Sequence, residues 1–247
     1  MKYASSVVVL AIIAMAGKVY SQDAKQIIQK AEDAIKGKSS SHSIMEMTIT
    51  TPDYTRTMKM ESWSIGDSKA LVKILAPARE ADNRTLKLGN EIWMYLRATE
   101  TTIRIPPSMM LQSWNGSDYT YDDMVRGETL TEDYDITIDG TEKVEDIDCW
   151  KLQLIPKPDA PVVWGKMFYW VRKKDNLPSL VEYFDEKGKL MRTMVMSDFK
   201  TMGGRTVPSV WTMYNSDKSH STEIKMDEAS FDTKIPNGIF SLKELEK

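Results

Sequence analysis

The sequence predicts an α+β protein, mainly antiparallel β, of about ten or eleven strands with one leading helix and one helical insertion. Apolar residues recur at every second position in many short segments, which places each set on one face of a sheet. The breaks between these segments are short and rich in Gly, Pro, Asn and Asp, which favours antiparallel neighbours over long crossovers. One early stretch and one central stretch depart from the period of two.

The early stretch is the leading helix. Ile27, Ile28, Ala31, Ala34 and Ile35 recur at helical spacing, Asp23 can cap the start and Gly37 can end it. A serine run, Ser39 to Ser41, leads into the first strand, where Met45, Met47 and Ile49 alternate with Glu46, Thr48 and Thr50. Pro52-Asp53 breaks the first pair, and Met58 and Met60 begin a strand that runs to Ile65. Gly66-Asp67 separates it from Leu71–Leu75, and Gly89-Asn90 joins Thr85–Leu88 to Ile92–Leu96. Residues 106–130 are the central exception. Pro106-Pro107 stops a strand, and Met109, Met110, Leu111 and Trp114 form an apolar patch without alternation. A short helix is expected over Tyr119 to Val125, beginning at Ser117 or Asp118. Such an insertion suits a lid over the sheet, and equally a surface loop packed by its own side chains. Strands resume at Tyr134–Ile138, with Asp139-Gly140 in or beside the turn that follows. Trp150, Leu152 and Leu154 alternate with Lys151 and Gln153 in the next. Met167–Val171, Leu180–Phe184, Leu190–Met196, Val207–Tyr214 and His220–Met226 complete the series, and Phe231 to Leu242 forms a tail held by apolar residues.

The apolar face has an unusual chemistry. The chain holds 17 Met and 7 Trp against 5 Phe, and many of them fall on the alternating positions. Sheet cores ordinarily favour Val and Ile, whereas methionine is flexible and polarizable and adapts to irregular apolar shapes. A face of this kind is either a core that happens to use methionine or a container for a greasy ligand. Hydrocarbon carriage needs a concave apolar surface, an adaptable lining and a cover that opens. A curved antiparallel sheet, methionines and a helical insertion would supply these three.

The N-terminus has the layout of a secretory signal peptide. Lys2 precedes an apolar run from Val7 to Ala16, and Val19 and Ser21 occupy the positions before an expected cut near Ser21. The run is short for a bilayer span, and no cysteine follows it to carry a lipid. The expected division is residues 1–21 as signal and 22–247 as one domain in the periplasm. Losing Lys2 and Lys18 lowers the basic count from 33 to 31 against 36 acidic residues, a charge of about −5. No basic stripe tracks phosphates, so nucleic acid is not an expected partner. Cys149 is the single cysteine, which excludes an intramolecular disulfide, and its place in a strand pattern gives it no reactive role.

Catalytic and metal chemistry find little support. His42 and His220 both read as solvated loop residues, and no metal-ligand spacing, nucleophile elbow or phosphate loop is present. Asp122-Asp123 and Asp133/Asp135 are carboxylate clusters without motif specificity, and calcium at Asp118, Asp122 and Asp123 lacks the spacing of a calcium loop. Acids at a helix start explain them more simply. The expectation is a protein that is not an enzyme and holds no cofactor or metal.

A resemblance adds to this reading. Glu91-Ile-Trp-Met-Tyr-Leu-Arg97, Ile103-Arg-Ile-Pro106 and Ser113-Trp-Asn-Gly-Ser-Asp-Tyr-Thr-Tyr-Asp-Asp-Met124 resemble the signature of the outer-membrane lipoprotein-sorting proteins, which are similar to the LolA/LolB lipoprotein carriers. Gly116, Ser117, Asp118, Tyr119, Tyr121, Asp122 and Asp123 fill the core of that motif. The resemblance implies an unclosed β-barrel, or half-barrel, with helices over its concavity. It implies carriage of acylated lipoprotein or related lipid from an inner-membrane transporter to an outer-membrane acceptor. Those carriers use a lid-locking arginine, and Arg79, Arg84, Arg97 and Arg104 are candidates here with no motif to choose among them.

The expected cavity residues are Met45, Met47, Met58, Met60, Trp93, Trp150, Leu152, Trp170, Trp211 and Met213, with Met109, Met110 and Trp114 in the lid. Strand Ile92–Leu96 is apolar on both faces, so periodicity alone does not separate Trp93 from Met94. The alternative function is a periplasmic sensor or interaction module that binds a membrane-anchored partner. Another is a hydrolase using Asp122 or Asp123.

Overall fold

A computed structural model describes residues 23–36, 39–126 and 130–247. The expected signal segment, residues 1–21, and the expected helix stop at Gly37 lie outside the described residues. Helix α1 covers residues 23–36. The first six strands are β1 (Ser40–Thr50), β2 (Thr55–Ile65), β3 (Lys69–Ala76), β4 (Arg84–Leu88), β5 (Glu91–Leu96) and β6 (Thr101–Arg104). Two short 3-10 turns (Pro107–Met109 and Trp114–Gly116) and helices α2 (Tyr121–Arg126) and α3 (Leu130–Asp133) follow. The chain then returns to β7 (Tyr134–Val144), β8 (Ile147–Pro156), β9 (Lys166–Arg172), β10 (Pro178–Phe184), β11 (Leu190–Met202), β12 (Arg205–Asn215) and β13 (Ser221–Phe231), and ends with α4 (Leu242–Leu245).

All thirteen strands form one antiparallel sheet in the order β6-β5-β4-β3-β2-β1-β13-β12-β11-β10-β9-β8-β7. The sheet is open: β6 and β7 are its two edges and do not pair. The described residues hold thirteen strands against the ten or eleven expected; β6, with four residues, is too short to show a period of two. The order has a consequence for the insertion. β6 and β7 are consecutive in sequence but lie at opposite edges, so the insertion, described over residues 105–126 and 130–133, crosses the sheet from one side to the other.

Two apolar clusters share the inner face. One joins Ala24, Ile28 and Ala31 of α1 to Leu152, Leu154, Met167, Tyr169 and Val181. The other joins Met47, Met58, Met60, Val72, Ile74 and Ile92 to Trp114 and Tyr121 of the insertion. A third cluster lies on the outer face, where Leu71, Leu86 and Tyr95 pack against Phe240 and Leu245 of the C-terminal tail. The tail is fixed there by Arg84, whose Nη1 donates to the Glu244 carbonyl at 2.6 Å. Strand β5 is therefore apolar on both faces for a structural reason: each face is covered.

Two local expectations are corrected. Asp139-Gly140 marks a β-bulge inside β7, where the register to β8 shifts between Ile138 and Gly140, and not a turn. The turn comes later, at Glu145 and Asp146, both at positive φ. His42 is not a loop residue: it sits in β1, its ring Nε2 meets the Glu61 Oε1 acceptor at 2.9 Å, and it stacks on Trp63.

Candidate functional site

The inner face does not close on itself. Between α1 and the insertion lies a cavity of about 380 Å³, lined by residues of nine strands. A single space reached from β1, β2, β3, β7 and β9 to β13 requires the sheet to curl around it. Its wall is largely sulfur and aromatic. Met45, Met60, Met124, Met167, Met194, Met196, Met213 and Met226 line it, with Trp114, Trp164, Trp211 and four tyrosines. The cross-strand register explains the concentration. Met45 lies between Met60 and Met226, Met194 is opposite Met213, and Met196 is opposite Trp211. Facing pairs on one side of adjacent strands touch, so the methionines form a belt across the centre of the sheet.

The structure sorts the expected residues by place. Met45, Met60, Trp211 and Met213 line the cavity, and so does Trp114 of the insertion. Met47, Met58 and Leu152 are fully buried on the inner face but lie in the packed clusters beside the cavity. Trp150 sits with Ile27 and Ile138 in a separate recess by α1. Trp93 and Trp170 point to the outer face. Trp93 packs with the tail cluster, under the Arg104 guanidinium, while its neighbours Ile92 and Met94 face inward. Trp170 donates its indole N–H to Glu142, between the inward Tyr169 and Val171. In the insertion, Met110 packs against the inner cluster, whereas Met109 is largely exposed. Met124, Met167, Met194, Met196 and Met226 were absent from the expected set. The alternation through Met194 and Met196 was the signal that could have found two of them.

The motif residues of the insertion act as fasteners. Gly116 turns the chain at φ 73°, beside Asn115 at 51°. The Ser117 hydroxyl donates to the Trp114 carbonyl at 2.7 Å. Helix α2 begins at Tyr121, later than expected, because Thr120 is its cap: the Thr120 N–H donates to Asp123 Oδ2 at 2.7 Å and the Asp123 N–H to Thr120 Oγ1 at 3.2 Å. The Trp114 indole donates to Thr85 Oγ1 of β4 at 3.1 Å. The Asp118 N–H donates to Thr222 Oγ1, which in turn donates to Asp118 Oδ2 at 2.7 Å, and Thr222 is fully buried on β13. The Tyr121 hydroxyl meets the Met94 sulfur of β5.

Asp123 makes the strongest tie. Arg192 of β11 grips its carboxylate with both Nη atoms, at 2.8 and 2.5 Å. The guanidinium is buried and also lies 4.4 Å over the rings of Trp164 and Tyr183. Burial alone would weaken its hold on the proton, but the hydrogen bond and charge of Asp123 outweigh that and raise it. None of the four arginines proposed for a lid lock does this. Arg84 holds the tail, Arg79 and Arg97 pair with neighbouring glutamates, and Arg104 pairs with Glu91.

Titration in the cavity follows from desolvation. Burial pushes the Tyr119 and Tyr169 phenols above their ordinary range and that of Tyr183 to about 12, so all three stay neutral. Asp118 and Asp123 are occupied as described, and among the described residues no group of three or more His, Cys, Asp or Glu is placed to hold a metal ion. The Cys149 thiol is buried in β8, and burial raises it as well. No described helix is long and apolar enough to cross a membrane.

A family model described as "-like: Uncharacterized protein" matches residues 66–247. The chain belongs to that family. Among solved structures, a DUF1329 family protein from Desulfovibrio piger is similar, with a TM-score of 0.84 and 20% identity over 92% of this chain and 99% of its own. A domain described as an outer membrane lipoprotein-sorting protein from Vibrio parahaemolyticus gives a TM-score of 0.80 and 23% identity, over 92% of this chain and 100% of its own. A LolA superfamily protein from Nitrosomonas europaea gives 0.74 and 21%, over 90% and 98%. The resemblance read from residues 91–124 holds at this level: the fold is LolA-like. Among curated proteins, none matches.

Proposed function

We propose that this protein is a periplasmic carrier that shields the acyl chains of lipoproteins or related lipids in its cavity and moves them toward the outer membrane. The observation that carries the reading is the unfilled, methionine-lined space of about 380 Å³ on the inner face. Packed interiors leave few voids larger than a water molecule, and a space of this size falls in the range of ligand pockets, roughly 300–1,000 Å³. Each methylene hidden from water is worth about 0.8 kcal/mol, so a sixteen-carbon chain resists free passage by on the order of 12 kcal/mol. A flexible lining takes up such a chain without the close fit that would hinder release.

The insertion is the lid in this reading. It crosses the mouth of the curl, and Asp123–Arg192 and Asp118–Thr222 hold it to the sheet. These ties, with those of Trp114 to Thr85 and Tyr121 to Met94, must break for the segment to lift. The reading assigns no catalytic group, since Asp123 is committed to Arg192. The descriptions of the structural neighbours support it, and an inner-membrane donor and an outer-membrane acceptor complete the route. Native mass spectrometry of protein purified from the periplasm is expected to find acyl lipid bound. The absence of any lipid, together with no uptake of a fluorescent long-chain alkyl ester, would overturn the proposal.

A further inference from the structure

The cavity wall is mostly apolar, and of its carboxylates Asp123 is held by Arg192. At one end α1 contributes Glu32, which is 3% exposed and lines the cavity. Among the described residues its Oε1 has no hydrogen-bond partner. The Lys36 ammonium, one helical turn on, stands 3.9 Å away, beyond hydrogen-bond reach. Buried carboxylate oxygens are acceptors that normally find a donor, and one left without points to something that supplies it. The packing of α1 is otherwise apolar apart from Lys36: Ala24, Ile27, Ile28, Ala31 and Ile35 face the core or the cavity.

We infer that Glu32 forms a polar subsite at the α1 end of the cavity, which binds an N–H or O–H donor carried beside the hydrocarbon chain of the cargo. This rests on the carrier reading and narrows its cargo to amphiphiles with a donor at the polar end. An alcohol, an amide or an ammonium meets the requirement. An ionised fatty acid does not, because it offers only acceptors and adds a second negative charge. The charged and titratable groups around Glu32 are consistent with this. Burial in the apolar wall raises its carboxyl from 4.5 to about 7, against the pull of Lys36 and with the added push of Asp67 and Asp33. Tyr169 of β9, itself raised by burial and by Glu32, stays neutral beside it. Glu32 is thus an anion above about pH 7, when an ammonium gains charge attraction as well as a hydrogen bond.

The test uses four twelve-carbon probes at pH 8: dodecanol, dodecyl methyl ether, dodecylammonium and dodecanoate. Binding is read from the fluorescence of Trp114, Trp164 and Trp211, which line the cavity. The wild-type protein is expected to bind dodecanol at least about tenfold more tightly than the ether, because a site built for a donor rejects an analogue that lacks it. Dodecylammonium should bind at least as tightly as dodecanol, and dodecanoate least. Glu32→Leu should level dodecanol, ammonium and ether. Glu32→Gln, which keeps an acceptor and the shape, should retain the preference for dodecanol and lose the extra affinity for ammonium. Equal binding of dodecanol and ether by the wild type, or an unchanged order in both variants, overturns the inference and leaves carriage standing. Failure of all four probes to bind overturns both.

Discussion

Replacing Asp123 by Asn tests what holds the insertion down. The substitution keeps the shape and the cap to Thr120, but removes the charge that Arg192 grips at 2.8 and 2.5 Å. Arg192 is 7% exposed in its side chain, so it has little water to turn to, whereas Asp123 is 22% exposed. Breaking a buried pair by removing one partner costs about 3–5 kcal/mol. The partial exposure of Asp123 and the surviving contacts of Arg192 with Trp164 and Tyr183 place this case at the lower end, about 3 kcal/mol. At about 1.4 kcal/mol per factor of ten, the lifted state of α2 should become on the order of 100-fold more populated. Native-state hydrogen exchange, read by mass spectrometry on peptides covering residues 107–126, measures that population directly. Exchange there is expected to accelerate by this factor while the amides of β10 to β12 keep their protection, and uptake of an alkyl probe should speed up. Unchanged exchange of α2, or equal loss of protection throughout the sheet, would refute the idea that this pair fastens a separately opening segment.

Three further outcomes are expected. Glu32→Gln should stabilise the protein at pH 8 and do little near pH 4. A carboxyl raised from 4.5 to about 7 on folding lends its stabilisation below its unfolded value and loses it as pH rises through the folded one, by roughly 3 kcal/mol in all. Urea unfolding of both proteins across pH 4–8 checks the sign and the window. Met45→Lys sets a charge in the centre of the methionine belt, and should weaken alkyl binding at least about tenfold while the fold persists, as circular dichroism and probe titration would show. Trp93→Ala should do the opposite: it costs about 2 kcal/mol of stability on the outer face and leaves alkyl affinity unchanged.

The period of two was enough to mark the strands and to pick out Met45, Met60, Trp211 and Met213, which do line the cavity. It could not say which face of β5 turns inward, because that strand is covered on both sides. The cover on the outer side is Phe240 and Leu245, from the far end of the chain, and no local pattern announces it. Trp170 was misplaced for a similar reason: a buried tryptophan on the outer face, bonded to Glu142, looks in sequence like any core aromatic. Arg192 gave no signal at all. Its partner lies 69 positions earlier in the chain, and a single arginine in a strand is ordinarily solvated.

Local chemistry settled what local chemistry can. Alternation, turn residues and the central insertion determined an antiparallel protein with a leading helix and a methionine-rich face, because these depend on neighbours a few residues apart. Only the tertiary structure decided that the sheet has two unpaired edges, that the described residues of the insertion therefore cross between them, that Arg192 meets Asp123, and that Asp123 and Glu32 come to line the space beneath. Those facts depend on which distant strands pair and how far the sheet curls, and the energy that selects them is shared among contacts that no short stretch of sequence contains.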